Sequence, residues 1–200
     1  MSRVLVVATR NAGKLREVHQ LLQGLDVDVL SLEAYPDAPQ VDEPFETFAE
    51  NAARKATVIA QVTGEWALAD DSGLEVTALE GAPGVRSARV ADTDPERIDW
   101  LLQQMRDVPE GRRHARFVCC VALASPRAAR GRWLRTVEGI ITMAPRGQQG
   151  FGFDPVFYYP PAGKTFAQMD PEDKGLVSHR GKSLRAFRSD FPSIIQTGRD

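Results

Sequence analysis

The chain has 200 residues, of which 42% are hydrophobic and 26% are charged, a composition typical of a globular protein in solution. Its formal net charge of −2 gives no overall attraction to nucleic acid or to acidic membranes. We therefore expect neither as a partner. The apolar runs are too short for a signal peptide or a membrane span. Cys119 and Cys120 are adjacent, and neighbours on a strand point to opposite faces, so we expect no disulfide and a reducing, cytoplasmic location.

The N-terminal segment combines a short strand with a loop that suits phosphate. The apolar run Arg3–Ala8 predicts a buried strand, and the apolar spacing after the loop predicts a helix that ends at Gly24. Residues 9–14 join the two, with Asn11 as the predicted helix N-cap. A strand, a small-residue loop and a helix N-terminus together form a ready anion site. An ordinary strand–helix turn is the alternative, because the loop lacks the first glycine of a Walker A sequence.

A second strand, Val27–Leu32, is followed by a loop from Glu33 to Phe45 that is rich in proline and acidic residues. A loop of this kind is usually only solvated. It can also lend a carboxylate, from Asp42 or Glu43, to a cation elsewhere in the fold.

The next predicted helix runs from Thr47 to Thr63, with Thr47 as its N-cap and Gly64 as its stop. Asn51 and Lys55 fall within the apolar stripe of this helix rather than on its polar face. A lysine at such a position can extend its ammonium to solvent. The pairing with an asparagine favours the other interpretation, that both residues line a polar cleft that binds an anion.

Two adjacent carboxylates mark the end of the apolar run that begins at Trp66. Asp70 and Asp71 are followed by Ser72 and Gly73. Ionised acids at the mouth of a buried strand are costly unless positive charge lies beside them, and a divalent cation is a natural partner. A tight turn is the alternative, since Asp-Asp-Ser-Gly also suits one. Strand neighbours face opposite ways, and the residues alone leave open which acid faces a ligand.

The middle of the chain is predicted to be scaffold. Asp94 and the proline after it begin a helix, and Ala115–Ala124 and Arg132–Met143 are two strands paired as a hairpin through the turn Ser125–Gly131. Seven arginines lie between Arg112 and Arg135. They indicate either a solvated hairpin or a patch that binds RNA, and the negative net charge favours the solvated hairpin.

A glycine-rich stretch, Gly147–Pro160, is typical of backbone that approaches a ligand closely. Phe151 or Phe153 can stack on a planar base, and the carboxylate of Asp154 can accept a hydrogen bond from a ring N–H. An aromatic core strand is the alternative interpretation.

Three hydrogen-bond donors near the C-terminal helices complete the pattern: Lys174, His179 and Arg180. Such donors fit the carbonyl oxygens of a purine or a phosphate, and equally the acidic face of a neighbouring molecule.

Six motifs occur along nearly the whole chain: Thr9–Lys14, Glu50–Ala56, Ala69–Leu74, Gly81–Arg89, Phe151–Pro155 and Ser178–Arg180. Together they resemble the inosine/xanthosine triphosphate pyrophosphatase family, which includes the dITP/XTP pyrophosphatases and clears deaminated purine nucleotides. The resemblance implies an α/β fold with an elongated mixed β-sheet, flanking helices and two lobes around a central cleft. It also implies that residues 1–200 form one catalytic domain, usually in a homodimer.

The resemblance further implies the reaction, in which ITP, dITP or XTP is hydrolysed to the monophosphate and pyrophosphate with Mg²⁺. Asp71 matches the general base, and Asp71 and Glu43 match the metal carboxylates. The residues that match substrate contacts are Thr9, Arg10, Asn11, Ala12, Gly13, Lys14, Lys55, Ser72, Phe151, Gly152, Phe153, Asp154, Lys174, His179 and Arg180. One departure is Arg86, where many relatives carry an aromatic residue.

Two other functions stay open on the residues alone: an RNA-binding module that uses the arginine-rich hairpin, and a related enzyme that hydrolyses pyrimidine nucleotides. Hypoxanthine and xanthine carry a 6-oxo acceptor, which protein donors can face. Adenine carries an amino donor at the same position, so a protein donor there would be left unpaired and adenine would be disfavoured. Guanine also carries the 6-oxo group, and its rejection does not follow from these residues.

Overall fold

The computed structural model describes residues 3–197. Its strands are β1 (Arg3–Val7), β2 (Val27–Ser31), β3 (Trp66–Val76), β4 (His114–Ser125), β5 (Ala128–Ile141), β6 (Phe157–Tyr159) and β7 (Lys164–Thr165). Its helices are α1 (Ala12–Leu22), α2 (Phe48–Thr63), α3 (Asp94–Gln104), α4 (Pro171–Val177) and α5 (His179–Thr197).

The strands form one mixed sheet of seven, in the order β2-β1-β3-β4-β5-β6-β7. β1 is parallel to both β2 and β3, and the β5–β6 and β6–β7 pairs are antiparallel. Parallel neighbours need a crossover connection, which α1 supplies between β1 and β2 and α2 supplies before β3. This mixed sheet with flanking helices confirms the predicted fold class. No helix within residues 3–197 combines the length and the apolar character needed to cross a membrane.

Local capping signals fix the start of α1 and both ends of α2 as predicted, whereas α1 ends at Leu22, before the predicted stop at Gly24. The Asn11 side chain accepts a hydrogen bond from the Lys14 N–H at the start of α1. Thr47 does the same for the Glu50 N–H at the start of α2, and Gly64 ends that helix with a φ of 73°. These caps satisfy donors and acceptors that a helix leaves unpaired at its ends.

The structure decides between two alternatives for one segment and corrects one predicted boundary. β3 continues through Asp70, Asp71, Ser72 and Gly73 to Val76, so the Asp-Asp-Ser-Gly sequence is extended strand and not a tight turn. The hairpin connection is also shorter than predicted, because β5 begins at Ala128 and only two residues separate it from β4. The first arginines of β5 occupy one face of the strand, where Arg130 is half-exposed and Arg132 is exposed.

The chain divides into two compact units, each with its own core. Among the described residues, the first unit comprises residues 3–71, 119–135 and 180–197, and the second comprises residues 72–118 and 136–179. Leu5, Leu68 and Phe187 belong to the core of the first unit. Leu74 and Phe157 belong to the core of the second. The two cysteines are buried free thiols.

Candidate active site

The loop between β1 and α1 is held by its own side chains. Thr9 Oγ1 accepts a hydrogen bond from the Asn11 N–H at 3.2 Å, while Asn11 caps the helix. The Arg10 guanidinium donates to the Ala38 carbonyl at 2.9 Å. Residues 10–12 are exposed, and the N-terminus of a helix at such a position is a favourable place for an anion.

Asp70 is a buried carboxylate paired with two cations. Its Oδ2 lies 3.0 Å from Lys14 Nζ and 3.2 Å from Arg180 Nε. The other side of that guanidinium contacts Glu17 Oε2 at 2.6 Å. Burial alone would raise the pKa of Asp70, but the charges of Lys14, Arg180 and Lys55 outweigh it and hold the pKa well below its usual range. Asp70 is therefore an ionised group that orients Lys14 and Arg180.

Asp71, the next residue on β3, has a different environment. Its Oδ1 lies 3.9 Å from Lys55 Nζ, which also contacts Glu43 Oε1 at 2.6 Å and the Asp70 carbonyl oxygen at 2.6 Å. Burial raises the pKa of Asp71, and the neighbouring carboxylates of Glu43 and Asp70 add to the effect against Lys55. Asp71 and Glu43 thus share the ammonium of Lys55. The pKa of Asp71 is raised, whereas that of its strand neighbour Asp70 is lowered.

Lys55 is surrounded by negative charge. Burial acts to lower the pKa of its ammonium, but the carboxylates of Asp70, Asp71 and Glu43 outweigh it and raise the pKa. The side chain therefore stays charged and does not extend freely into solvent, since three oxygen atoms hold it.

The donor set around Lys55 fits a divalent cation. No group of three or more potential ligands from His, Cys, Asp and Glu occurs within residues 3–197. The carboxylates of Asp71 and Glu43 nevertheless lie within 4.0 Å of one Nζ atom, and hard cations prefer such oxygens. A cation of this kind often binds one or two carboxylates and completes its shell with phosphate oxygens and water.

Asn51 has a role that its position on the apolar stripe did not reveal. It is fully buried, and its side-chain amide accepts from the Phe45 N–H and donates to the Phe45 carbonyl, both at 3.0 Å. The prediction that Asn51 lines a polar cleft is wrong, because its hydrogen-bonding groups face the end of the acidic loop. Asn51 fixes that loop two residues after Glu43.

The second unit contains the predicted base-binding residues. Asp154 Oδ2 accepts from the Phe151 N–H at 2.9 Å and from Lys174 Nζ at 2.6 Å. The same ammonium lies 4.8 Å from the centroid of the Phe151 ring. Phe153 is buried in the core of this unit, which leaves Phe151, half-exposed, as the phenylalanine that can stack on a ligand. The stacking prediction for the Phe153 side chain is therefore wrong.

The three predicted donors have three different partners. Lys174 contacts Asp154, and the buried His179 ring stacks on Phe117 with centroids 4.5 Å apart. Arg180 contacts Asp70 as described above.

Ser72 follows Asp71 on β3 and is half-exposed. Sequence reasoning did not identify Glu17, whose partner Arg180 is 163 residues away, and it did not predict that Asn51 bonds to Phe45.

These features define a mixed α/β protein in which Lys14, at the start of α1, forms an ion pair with Asp70 on β3, next to the carboxylates that contact Lys55. The model of the Ham1 family matches residues 5–190, and the chain belongs to this family.

Known relatives match nearly the full chain. A dITP/XTP pyrophosphatase of Geobacter sulfurreducens is 49% identical over 187 residues, which are 92% of this chain and 94% of the relative. The structure of a Ham1 protein from Coxiella burnetii has a TM-score of 0.86 and 38% identity, covering 96% of this chain and 99% of the other. The structure of a nucleoside-triphosphatase / dITP/XTP pyrophosphatase from Mycobacterium abscessus has a TM-score of 0.72 and 39% identity. The match covers 92% of this chain and 98% of the other.

Proposed function

We propose that this chain hydrolyses the deaminated purine nucleotides ITP, dITP and XTP to the monophosphate and pyrophosphate. The family membership and the relatives named dITP/XTP pyrophosphatase support this reaction. The observation that carries it is the pair of carboxylates, Asp71 and Glu43, that shares the Lys55 ammonium. Phosphoanhydride hydrolysis needs charge neutralisation and a positioned water more than covalent help, and these carboxylates would supply both when they hold a divalent cation.

The phosphate chain is assigned to residues of the first unit. The N–H groups at the start of α1 and the ammonium of Lys14 suit phosphate oxygens. Thr9 and Asn11 keep the loop in shape through their hydrogen bonds. Asp70 holds Lys14 in place until substrate binds, so the ammonium is already oriented and its ordering cost is reduced.

Asp71 is the proposed general base, and Asp71 and Glu43 are the proposed metal ligands. A divalent cation, which we propose to be Mg²⁺, would neutralise charge on the phosphate oxygens when bound. Asp71 would accept the proton of the attacking water, a role favoured by a carboxylate whose pKa lies above its ordinary value. Lys55 would hold both carboxylates in position and offset their mutual repulsion.

The base is assigned to residues of the second unit. Phe151 would stack on the purine, and Lys174, fixed by Asp154, would donate to the 6-oxo group that inosine and xanthosine share. Adenine carries an amino donor there and would leave a buried donor unpaired. His179 is a further proposed contact in this group.

A substrate panel with detection of pyrophosphate tests the proposal. We expect ITP, dITP and XTP to be hydrolysed in preference to the four common nucleotides, and Asp71→Asn to abolish turnover while nucleotide binding persists. Release of orthophosphate instead of pyrophosphate, or preference for pyrimidine nucleotides, would contradict it.

Two of the seven arginines between Arg112 and Arg135 are engaged within the protein, which weakens the case for an RNA-binding function. Arg113 is buried and donates to main-chain carbonyls of Met105 and Ile141, and Arg116 pairs with Glu75. Salt-sensitive RNA affinity that survives Asp71→Asn would favour that alternative.

We further propose that residues 1–200 act as one catalytic domain, in a cytoplasmic homodimer, as the resemblance implies. Sedimentation equilibrium of the whole chain tests the oligomeric state, and a monomer at working concentration would contradict it.

A further inference from the structure

Asp94 connects α3 to a distant glycine-rich segment. Its Oδ2 accepts a hydrogen bond from the Gly152 N–H at 2.7 Å, although the two residues are 58 positions apart. Its Oδ1 contacts an Arg97 guanidinium nitrogen at 2.6 Å, which fixes the orientation of the carboxylate. Both oxygens of this side chain therefore have defined partners.

α3 does not depend on Asp94 for its cap. Thr93 occupies the N-cap position and forms a complete capping box with Glu96. These two side chains satisfy main-chain donors at the helix start. The carboxylate of Asp94 thus remains available for a contact outside its own helix.

The hydrogen bond from Gly152 fixes the peptide unit that follows Phe151. Gly152 has a φ of 60°, a conformation that side chains other than glycine rarely adopt. On the other side of Phe151, its own N–H donates to Asp154 Oδ2 at 2.9 Å. The main chain is therefore held on both sides of Phe151, by Asp154 before the ring and by Asp94 after it.

Phe151 is the residue whose orientation depends on this arrangement. Its ring lies 4.8 Å from Lys174 Nζ, and Lys174 in turn contacts Asp154. Loss of the hydrogen bond to Gly152 would free one of the two peptide units that set the direction of the ring. Stacking on a base requires that direction to be fixed in advance.

We propose that Asp94 is a positioning residue for nucleobase recognition, acting through the Gly152 N–H to orient Phe151. The inference rests on the proposed function, in which Phe151 stacks on the purine. Asp94 does not touch the substrate in this scheme. Asp94 therefore affects how tightly the base is bound and leaves binding of the phosphate chain unchanged.

Kinetics of two Asp94 variants and one matched control test the inference. In Asp94→Ala we expect KM for ITP to rise about ten-fold, as for loss of a charge-assisted hydrogen bond, with kcat nearly unchanged. Inhibition by inorganic tripolyphosphate, which has no base, is expected to stay at the wild-type level. Asp94→Asn retains an oxygen that can accept from Gly152 and is expected to restore part of the affinity.

Glu96→Ala is the control, since it breaks the capping box of the same helix without touching Gly152. We expect it to lower thermal stability and to leave KM for ITP unchanged. An equal rise of KM in Glu96→Ala and Asp94→Ala would overturn the inference, because the cause would then be a loosened helix. An unchanged KM in Asp94→Ala would overturn it as well.

Exchange of the Gly152 amide proton, followed by NMR, provides a readout that does not depend on turnover. We expect faster exchange in Asp94→Ala than in the wild type or in Glu96→Ala. Unchanged exchange would overturn the inference by itself. If the wild type failed to hydrolyse ITP, the proposed function would fail, while the exchange rates would still decide whether Asp94 holds the segment.

Discussion

Asp70 and Asp71 are neighbours on β3, and we predict that their neutral variants change stability in opposite directions. Asp70 contacts Lys14 and Arg180, and those charges hold its pKa below the ordinary value despite burial. Burial instead raises the pKa of Asp71. Ionisation of Asp70 therefore stabilises the fold, whereas ionisation of Asp71 opposes it.

The contacts set the expected magnitudes. Asp70→Asn leaves Lys14 without its carboxylate partner at 3.0 Å and removes one of the two carboxylates that contact Arg180. Removing one partner of a buried ion pair costs about 3–5 kcal/mol, which lowers Tm by roughly 6–20 °C for a chain of this size. Asp71→Asn removes a buried like charge while Lys55 keeps Glu43, so we expect a gain of about 1 kcal/mol, or roughly 2–4 °C.

The pH dependence distinguishes the two residues. A lowered pKa gives stability that is present above the unfolded value of 3.8 and is lost only as pH falls through the folded value, so the deficit of Asp70→Asn is constant from neutral to mildly acidic pH. The cost of ionising Asp71 is present above its raised pKa and disappears as pH falls through it. The gain in Asp71→Asn therefore shrinks on acidification.

Thermal unfolding followed by calorimetry in EDTA measures both differences without a cation to offset the charges. A loss of stability in both variants at neutral pH, or a gain in Asp71→Asn that does not vary with pH, would refute this reasoning.

Three further predictions concern the loops and the metal. Asn51→Ala removes two hydrogen bonds to Phe45 and is expected to cost about 2 kcal/mol, seen as a Tm roughly 4–8 °C lower; an unchanged Tm would count against the role of Asn51. Gly150→Ala places a Cβ against the Asp154 carboxylate and should raise KM for ITP more than Gly152→Ala, which has a similar positive φ but open space; equal effects would show that backbone strain alone is responsible. Chelation of divalent cations should abolish pyrophosphate release and Mg²⁺ should restore it, whereas activity that persists in chelator would rule out the carboxylate site.

Local chemistry explains which parts of the fold could be predicted. The N-caps at Asn11 and Thr47 and the stop at Gly64 involve residues within one turn of helix, so their sequence signals are sufficient. The residues alone left a tight turn at Asp-Asp-Ser-Gly open, and the structure excludes it because pairing within the sheet overrides the preference of turn residues.

For the candidate site, the sequence predicted which residues belong to it but not how their side chains pair. The resemblance grouped Asp71 with Glu43 as metal carboxylates and assigned Lys55 to the phosphate side, whereas the structure places the Lys55 ammonium in contact with both carboxylates. The partner of Arg180 was not predictable, because it pairs with Asp70, 110 residues earlier, and not with a base-binding residue.

The sequence by itself determined the family, the class of sheet and the residue types of the candidate site, since periodicity, capping and motif spacing are local properties. Only the tertiary structure decided which of two adjacent acids is neutralised by Lys14 and Arg180 and which one is left with a raised pKa. It also decided that Asp94, at the start of a helix that the sequence predicted to be scaffold, contacts Gly152. The physical reason is that a charge is stabilised by what lies within a few ångströms of it, and strand order and register bring those neighbours from distant parts of the chain.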